Sequence, residues 1–331
     1  MLEKLTQIFG VSGREKEIAA YVAETVRPFV DEVKMDALGN VITFKKGTGA
    51  APKKIMASAH IDEIGFMVTK ITDEGYLKVR AVGGISMYPS YANRVEFQNG
   101  VKGALMTESN IAEIGKNDVS KLYVDIGATS KEDAEKYIRV GDTAHYIGEC
   151  VELVSGRYMS KSFDDRVAAY ILIKSIQQIK ECPNDLYYVF STQEELGLRG
   201  ARVAAQGIHP DIGIALDVTP SFDTPDNKNG NVVLGGGAAI KAMDSSVICD
   251  EMLVNRMVDV AEREKIHYQM EGLAAGGTDA GAINQSNDGV RSCGISIPNR
   301  YVHAPVSVVD IADVEACTAL LTAFVSESFS F

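Results

Sequence analysis

Four short apolar runs in this chain each lead into a residue that can bind a metal ion. The runs and the residues that follow them are IMASA and His60, YYVFS and the pair Glu194 and Glu195, IGIAL and Asp217, and GISIP and the region of His303. Helical segments alternate with these runs, which predicts a mostly parallel sheet with helices on both faces. Ligands bind outside the carboxyl ends of the strands in such sheets, so we expect these residues to converge on one crevice.

Two of the helical segments begin with polar residues typical of a helix start. In SGREKEIAAYVAETV, Ser12 and Glu15 have the spacing of a capping box, and apolar residues then recur at helical intervals. SFDDRVAAYILIKSIQQIK predicts a helix opened by Ser162. Asp164 and Asp165 would lie in its first turn, where the positive end of the helix dipole favours carboxylates.

Residues 66–156 follow a different pattern. Short alternating segments such as GYLKVRAVGG and KLYVDIGA are separated by Gly, Asn and Asp turns, and helical periodicity is largely absent apart from SKEDAEKYI. This pattern predicts a small β-rich domain inserted into a larger α/β domain, which would comprise residues 1–65 and 157–331.

The composition restricts the partners and the location of the protein. The formal net charge is −12 and there is no long basic block, so DNA, RNA and anionic membranes are poor partner candidates. The amino terminus lacks the apolar stretch of a signal peptide, and no segment approaches ~18 uninterrupted apolar residues. The five cysteines are scattered and odd in number, which is typical of free thiols in a reducing compartment. We therefore expect a cytoplasmic protein.

The candidate ligands form a mixed nitrogen and oxygen set. Two histidines and several carboxylates, with Asp164 as a further candidate, suit zinc, cobalt or manganese better than calcium. Each feature is weak when taken alone, because a histidine after a strand or an acidic pair at a helix start is common without a metal. The joint pattern is what indicates a metal centre.

Six stretches occur in the order and at roughly the spacing found in one enzyme family. They are AHIDEIGF, SFDDRVAAY, STQEELGLRGA, ALDVTP, GGTDAGAI and PNRYVHAPVS. Through them, nearly the whole chain resembles the M42 family of dinuclear metallo-aminopeptidases, which includes glutamyl aminopeptidases and the tetrahedral TET peptidases. The resemblance implies a zinc-exopeptidase-like fold in which the β-rich insertion serves dimerisation. It also implies homo-oligomers, with dimers joined into a twelve-subunit tetrahedral particle.

The resemblance also implies a role for each ligand. Asp164, the first aspartate of the DDR motif, would bridge two divalent metal ions, zinc or cobalt and alternatively manganese. His60 and Asp217 would complete one metal site, and Glu195 with His303 the other. Three ligand carboxylates then bring −3 to two ions worth +4, so the cluster keeps the positive charge that a Lewis acid needs.

Two further acids are assigned by the resemblance. Glu194 would be the general base for a metal-bridging water that attacks the amino-terminal peptide bond, and Asp62 would orient His60. Neighbouring residues on an extended backbone project in different directions, so one glutamate can bind metal while the other faces the substrate. Spacing alone leaves Glu194 and Glu195 interchangeable.

Three residues are weaker candidates for the surroundings of the site. Asp165 either caps its helix or supports the metal site. Thr278 and Asp279, in GLAAGGTDAGAI, are candidates for the pocket wall, since this stretch lacks the spacing of nucleotide-binding loops. No serine shows the GxSxG signature of a serine hydrolase.

Several alternatives stay open at this point. A metal-dependent deacylase of N-acyl amino acids would use the same ligands, and a glycosidase would use paired carboxylates, commonly without metal. A protein that keeps the fold without catalysis is the third alternative. The preferred first residue of a peptide substrate is also open, because a preference for acidic residues would need a pocket cation such as Arg300 or Arg291.

Overall fold

The computed structural model describes residues 1–110, 118–225 and 227–330 and shows a mixed α/β fold. The strands are β1 Glu32–Met35, β2 Val41–Lys45, β3 Lys54–His60, β4 Gly65–Ile71, β5 Leu77–Val82, β6 Asn93–Phe97, β7 Lys102–Thr107, β8 Leu122–Asp125, β9 Thr143–Tyr146, β10 Val151–Glu152, β11 Arg157–Ser160, β12 Asp185–Ser191, β13 Ile212–Pro220, β14 Ala238–Met243, β15 Tyr268–Gly272, β16 Arg291–Asn299 and β17 Ser307–Asp310. The α-helices are α1 Leu2–Gln7, α2 Lys16–Val26, α3 Met87–Ser90, α4 Lys131–Ala134, α5 Phe163–Gln178, α6 Arg199–Ile208, α7 Glu251–Glu264, α8 Asp279–Asn284 and α9 Ile311–Val325.

The largest sheet has the strand order β1-β2-β12-β3-β13-β16-β14-β15 within the described ranges. Its central strands β12, β3, β13 and β16 run parallel to one another. β1 and β2 form antiparallel pairs on one side, and β14 is antiparallel to β16 on the other. The four apolar runs that precede the candidate ligands are therefore four neighbouring strands whose carboxyl ends meet at one edge.

Both faces of this sheet are buried, which explains why its central strands are continuously apolar. In β3, Ile55, Ala57 and Ala59 belong to the large core formed with α2, α5, α7 and α9. Met56 points the other way, into the smaller core formed with α6 and α8. Alternate side chains of one strand thus bind helices on opposite sides of the sheet.

A closed barrel of antiparallel strands lies between β3 and β10 in the chain, with the order β4-β5-β8-β7-β6-β9. It has its own core, in which Phe66, Val79, Val95, Leu105 and Val124 are almost completely buried. The strands β10 and β11 form a separate small sheet with β17. This sheet joins the chain that leaves the barrel to the segment after His303.

The predicted capping box at the start of α2 is wrong. The helix begins at Lys16, and Glu15, its N-cap, makes no side-chain cap hydrogen bond. The hydroxyl of Ser12 instead donates to Asp62. A partner 50 positions away in the sequence has replaced the local cap, because a buried carboxylate is costly to leave without hydrogen-bond donors.

The predicted start of α5 also differs. Ser162 has left-handed backbone angles and no capping bond, and its hydroxyl donates to Glu63. Asp164 and Asp165 have non-helical backbone angles, and a cis peptide bond joins them. The sequence pattern predicted that both acids lie in a regular first helical turn, and this prediction is wrong because their backbone angles are not helical.

Two expectations from the composition can be compared with the structure. All five cysteines are free thiols, as their scattered spacing predicts. Across residues 1–110, 118–225 and 227–330, none of the helices combines the length and the apolar character needed to cross a bilayer.

Replacing Gly200 by alanine is expected to lower the free energy of unfolding by about 1–3 kcal/mol. An added Cβ would overlap Asn40 Oδ1 and the backbone of Thr192, neither of which can move away easily. Gly207 in the same helix is the matched control, since a Cβ there meets open space and alanine should be neutral or stabilise by up to about 1 kcal/mol. Urea unfolding of both variants measures the difference, and equal free energies would contradict this packing.

Candidate active site

The candidate ligands lie at the carboxyl edge of the central strands. His60 is the last residue of β3 and pairs in register with Ser191, the last residue of β12. Asp217 lies within β13, and His303 follows the end of β16. Neighbouring parallel strands that end at the same level therefore bring residues from distant parts of the sequence into one crevice.

Asp164 lies between the two histidines. Its Oδ1 is 3.0 Å from His60 Nε2 and its Oδ2 is 3.1 Å from His303 Nε2. Two groups of potential ligand atoms share this carboxylate, His60, Asp164 and Asp217 in one and Asp164, Glu195 and His303 in the other. Within each group all ligand atoms lie within 4.8 Å of one another. The residues of both groups fit the binding of divalent metal ions.

The two adjacent glutamates differ in their surroundings. Glu195 Oε1 is 3.2 Å from His303 Nε2 and belongs to a ligand group, whereas Glu194 belongs to neither. Glu194 Oε2 is 3.9 Å from His60 Nε2. The sequence analysis expected an extended backbone at this point. Glu194–Leu196 instead form a 3₁₀ turn. Consecutive side chains of such a turn diverge by about 120°, which separates the two carboxylates.

The electrostatics of the site favour added positive charge. Burial and repulsion from Asp164 raise the pKa of Asp217 well above its usual range, and burial does the same for the pKa of Glu194. Burial alone would lower the pKa of His303, but its contacts with Asp164 and Glu195 raise it to about 11. Buried carboxylates that repel one another and draw a proton onto a histidine suit divalent cations.

Asp62 binds three parts of the site at once. Its Oδ1 is 3.3 Å from His60 Nδ1, and its two oxygens accept the backbone N–H groups of Glu194 at 3.0 Å and Glu195 at 3.2 Å. With Nδ1 facing Asp62, Nε2 of His60 is directed toward Asp164. Asp62 therefore contacts His60, which it is predicted to orient. It also binds the backbone of the turn that carries Glu194 and Glu195, which the sequence did not indicate.

The weaker candidates occupy different positions. Asp165 is buried, and within the described ranges neither of its carboxylate oxygens has a hydrogen-bond partner. Asp279 Oδ2 accepts the hydroxyls of Ser58 and Ser191, both at 2.6 Å, and so ties β3 to β12 just before the site. Thr278 lines the cleft next to the metal-ligand groups.

The cleft in front of the ligands has a volume of ≈ 500 Å³. Most of its exposed wall is apolar, and side chains of Leu198, Val218, Leu273 and Val302 contribute to it. These residues come from four different segments of the chain, so no local pattern marks them in the sequence. The cleft can accept a mainly apolar group beside the metal-ligand residues.

Lys241 also lines the cleft, and the sequence analysis missed it. It is 2% exposed, and its Nζ donates to Glu271 Oε1 at 2.9 Å and lies 3.7 Å from Asp244 Oδ2. The signal that could have revealed it is a lone lysine in the apolar strand AAIKAM.

Arg300 and Arg291 were candidates for a pocket cation. They instead contact Asp223 and Asp250, respectively, and are not among the described residues lining this cleft.

Comparisons with known proteins agree with this geometry. A family model described as M42 glutamyl aminopeptidase matches residues 39–320. A putative aminopeptidase of Acetivibrio thermocellus is 46% identical over 97% of this chain and 96% of its own length. An aminopeptidase structure from the archaeon Desulfurococcus kamchatkensis superposes with a TM-score of 0.95 at 37% identity, covering 99% of this chain and 94% of that one. The Pyrococcus horikoshii TET1 peptidase, which can assemble into a tetrahedron or a large octahedral shell, gives 0.85 at 32% identity and covers 99% and 98%.

Proposed function

This chain belongs to the M42 glutamyl aminopeptidase family and is a peptidase, and we propose that it cleaves the amino-terminal peptide bond of peptides with two divalent metal ions. The observation that carries the proposal is the position of Asp164, which offers one carboxylate oxygen toward each of two ligand groups. A carboxylate with one oxygen facing each ligand group could bind two adjacent cations at the same time.

The proposed ligands divide between two ions. His60 and Asp217 would hold one, Glu195 and His303 would hold the other, and Asp164 would contribute to both. Zinc, cobalt or manganese suits this mixture of imidazole and carboxylate. Bound divalent ions supply a Lewis acid that polarises a carbonyl group and lowers the pKa of water.

Glu194 is proposed to move the proton. It lies outside both ligand groups, yet its Oε2 is 3.9 Å from His60 Nε2, so it is close to the ligands without being one of them. Glu194 Oε2 would accept the proton of the attacking water and deliver it to the nitrogen of the leaving amine.

The alternative functions have less support. A glycosidase does not require histidines beside its carboxylates, yet both ligand groups here contain one. An N-acyl amino acid deacylase would use the same ligands, but the relatives reported above carry aminopeptidase or peptidase names. The aminopeptidase proposal is therefore retained.

We further propose that the cleft prefers a neutral, apolar first residue over an acidic one. The exposed wall is mainly apolar, and Lys241, which lines it, is paired with Glu271 and lies near Asp244, while His303 belongs to a ligand group. These three groups carry one positive and two negative charges, so no excess positive charge remains for a substrate carboxylate. Bringing an unpaired carboxylate into such a cleft is costly.

The assembly and the domain division are also proposals. We propose that residues 66–156 form an inserted domain, that residues 1–65 and 157–331 form the catalytic domain, and that the inserted domain contributes dimer contacts. The closed barrel with its own core supports the division. The TET1 peptidase forms tetrahedral and octahedral shells, which supports a homo-oligomer of dimers joined into a twelve-subunit particle.

The roles of the two glutamates can be separated by matched substitutions. We expect Glu194→Gln to keep normal metal content and to lose ~10²-fold or more in kcat on aminoacyl-anilides, because it removes the proton acceptor. Glu195→Gln should lower the metal content, because it replaces a negatively charged ligand by a neutral amide, and Glu195→Ala should lose metal, because it removes the ligand. Elemental analysis and steady-state kinetics measure both, with N-acetylated anilides as the substrate control. Equal metal loss in the two variants would contradict the separate roles, and cleavage of the acetylated set alone would favour the deacylase.

The pocket proposal predicts that a leucyl-anilide is cleaved with a kcat/KM at least ~10-fold above that of a glutamyl-anilide. Glu271→Gln should lower the ratio of the leucyl to the glutamyl kcat/KM. It removes a negative charge that neutralises Lys241, so the lysine can attract the glutamyl carboxylate. Faster cleavage of the glutamyl substrate by the unmodified protein would show that the pairing of Lys241 does not set the preference.

The assembly proposal predicts one particle whose mass is twelve times 35.7 kDa. Light scattering coupled to size exclusion measures this mass directly. A mass of two chains would leave dimerisation intact but contradict the twelve-subunit particle, and a monomer would contradict both.

A further inference from the structure

The amino-terminal segment Gly10–Glu15 packs against the turn that carries the two glutamates. It is attached to the rest of the chain by backbone hydrogen bonds, from Ser12 N to Glu63 O and from Glu63 N to Gly10 O. The guanidinium of Arg166 also binds the carbonyl oxygens of Leu5 and Ile8 just before it. These bonds hold the segment in place without using the side chains of Ser12 or Glu15.

The side chain of Ser12 is directed toward Asp62. Its hydroxyl donates to Asp62 Oδ2 at 2.6 Å, and both residues are buried, at 3% and 0% exposure. The same Oδ2 accepts the N–H of Glu195, while Oδ1 accepts the N–H of Glu194. Ser12 is therefore linked to the backbone of Glu194 and Glu195 through one carboxylate, that of Asp62.

Glu15 holds the residue just before the two glutamates. Its Oε1 accepts the N–H of Gln193 at 3.1 Å and that of Gly13 at 2.7 Å. Gln193 has a positive φ of 54°, a conformation that non-glycine residues adopt only when their surroundings impose it. Three consecutive backbone N–H groups, those of Gln193, Glu194 and Glu195, thus each bind a carboxylate.

The burial of Glu15 costs folding free energy near neutral pH. Glu15 is 5% exposed, and burial together with the nearby charge of Asp62 raises its pKa to about 7. A buried carboxylate with a raised pKa destabilises the folded protein near neutral pH relative to a neutral side chain. The contacts that the Glu15 carboxylate makes in return are its hydrogen bonds to the backbone N–H groups of Gly13 and Gln193.

We infer that Ser12 and Glu15 are positioning residues that fix the Gln193–Glu195 turn, so that Glu195 reaches its metal and Glu194 faces the substrate. This inference rests on the proposed function. Substitution of outer groups that orient metal ligands typically costs about 10–100-fold in metal affinity or activity. Loss of the Ser12 hydroxyl leaves Asp62 Oδ2 with one fewer donor and loosens the turn that it binds.

The test compares Ser12→Ala with Ser175→Ala. Ser175 is a buried serine whose hydroxyl contacts Tyr188 and Thr322, away from the site, so both variants lose one buried hydroxyl. Zinc titration of metal-free protein against a chromophoric chelator gives the metal Kd, and leucyl-anilide kinetics at saturating zinc give kcat and KM. We expect Ser12→Ala to raise the metal Kd ~10-fold and to lower kcat ~10-fold at unchanged KM. Ser175→Ala should change neither, and Ser12→Thr should recover most of the loss.

The inference is overturned if Ser12→Ala lowers only the unfolding midpoint while metal Kd and kcat stay within about twofold of the unmodified protein. Should Ser12→Ala not fold, Glu15→Met decides, since it removes the acceptor for Gln193 N–H and is expected to give the same pattern. An unmodified protein that fails to cleave any aminoacyl-anilide would contradict the proposed function instead. The metal Kd values would still test the positioning role in that case.

Discussion

The placement of one carboxylate, Asp164, between two histidines is the constraint on which the rest of the site depends. Its two oxygens face His60 and His303, which come from opposite ends of the chain. This geometry requires the ends of β3 and β16 to lie at the same edge of the sheet, together with the start of α5. The parallel order of the central strands provides this alignment, because such strands end at a common level.

The edge that collects these residues also collects negative charge. Burial and mutual repulsion raise the pKa of Asp217 and of Glu194, so keeping these two carboxyl groups ionised costs folding free energy. The apolar packing on both faces of the sheet offsets this cost, since the central strands are buried among helices on either side. Metal binding would relieve the repulsion, which couples the stability of the site to its cations.

The sequence was most informative where side-chain chemistry and strand ends coincide. His60 and Asp217 could be predicted as ligands because each follows or ends an apolar run, and the resemblance to a known family added Asp164 as the bridge. Local rules failed where a distant partner was available. Ser12 has the spacing of a helix cap but binds Asp62. Lys241 stands out as a lone lysine in the apolar strand AAIKAM, yet the glycines and apolar residues that form the cleft beside it come from other segments of the chain.

The sequence by itself determined the order of strands and helices, the residues at the strand ends and therefore the chemical class of the site. Spacing alone left the two adjacent glutamates interchangeable, the family resemblance assigned Glu195 as the ligand, and the tertiary structure brings Glu195 into a ligand group with Asp164 and His303. Only the tertiary structure decided that the amino-terminal segment holds their backbone. The physical reason is that apolar residues recur along each helix or strand with the period of that element, so neighbouring positions in the sequence are enough to predict which face is buried. A hydrogen bond between residues 50 or 178 positions apart depends on how those elements pack, which no local pattern encodes.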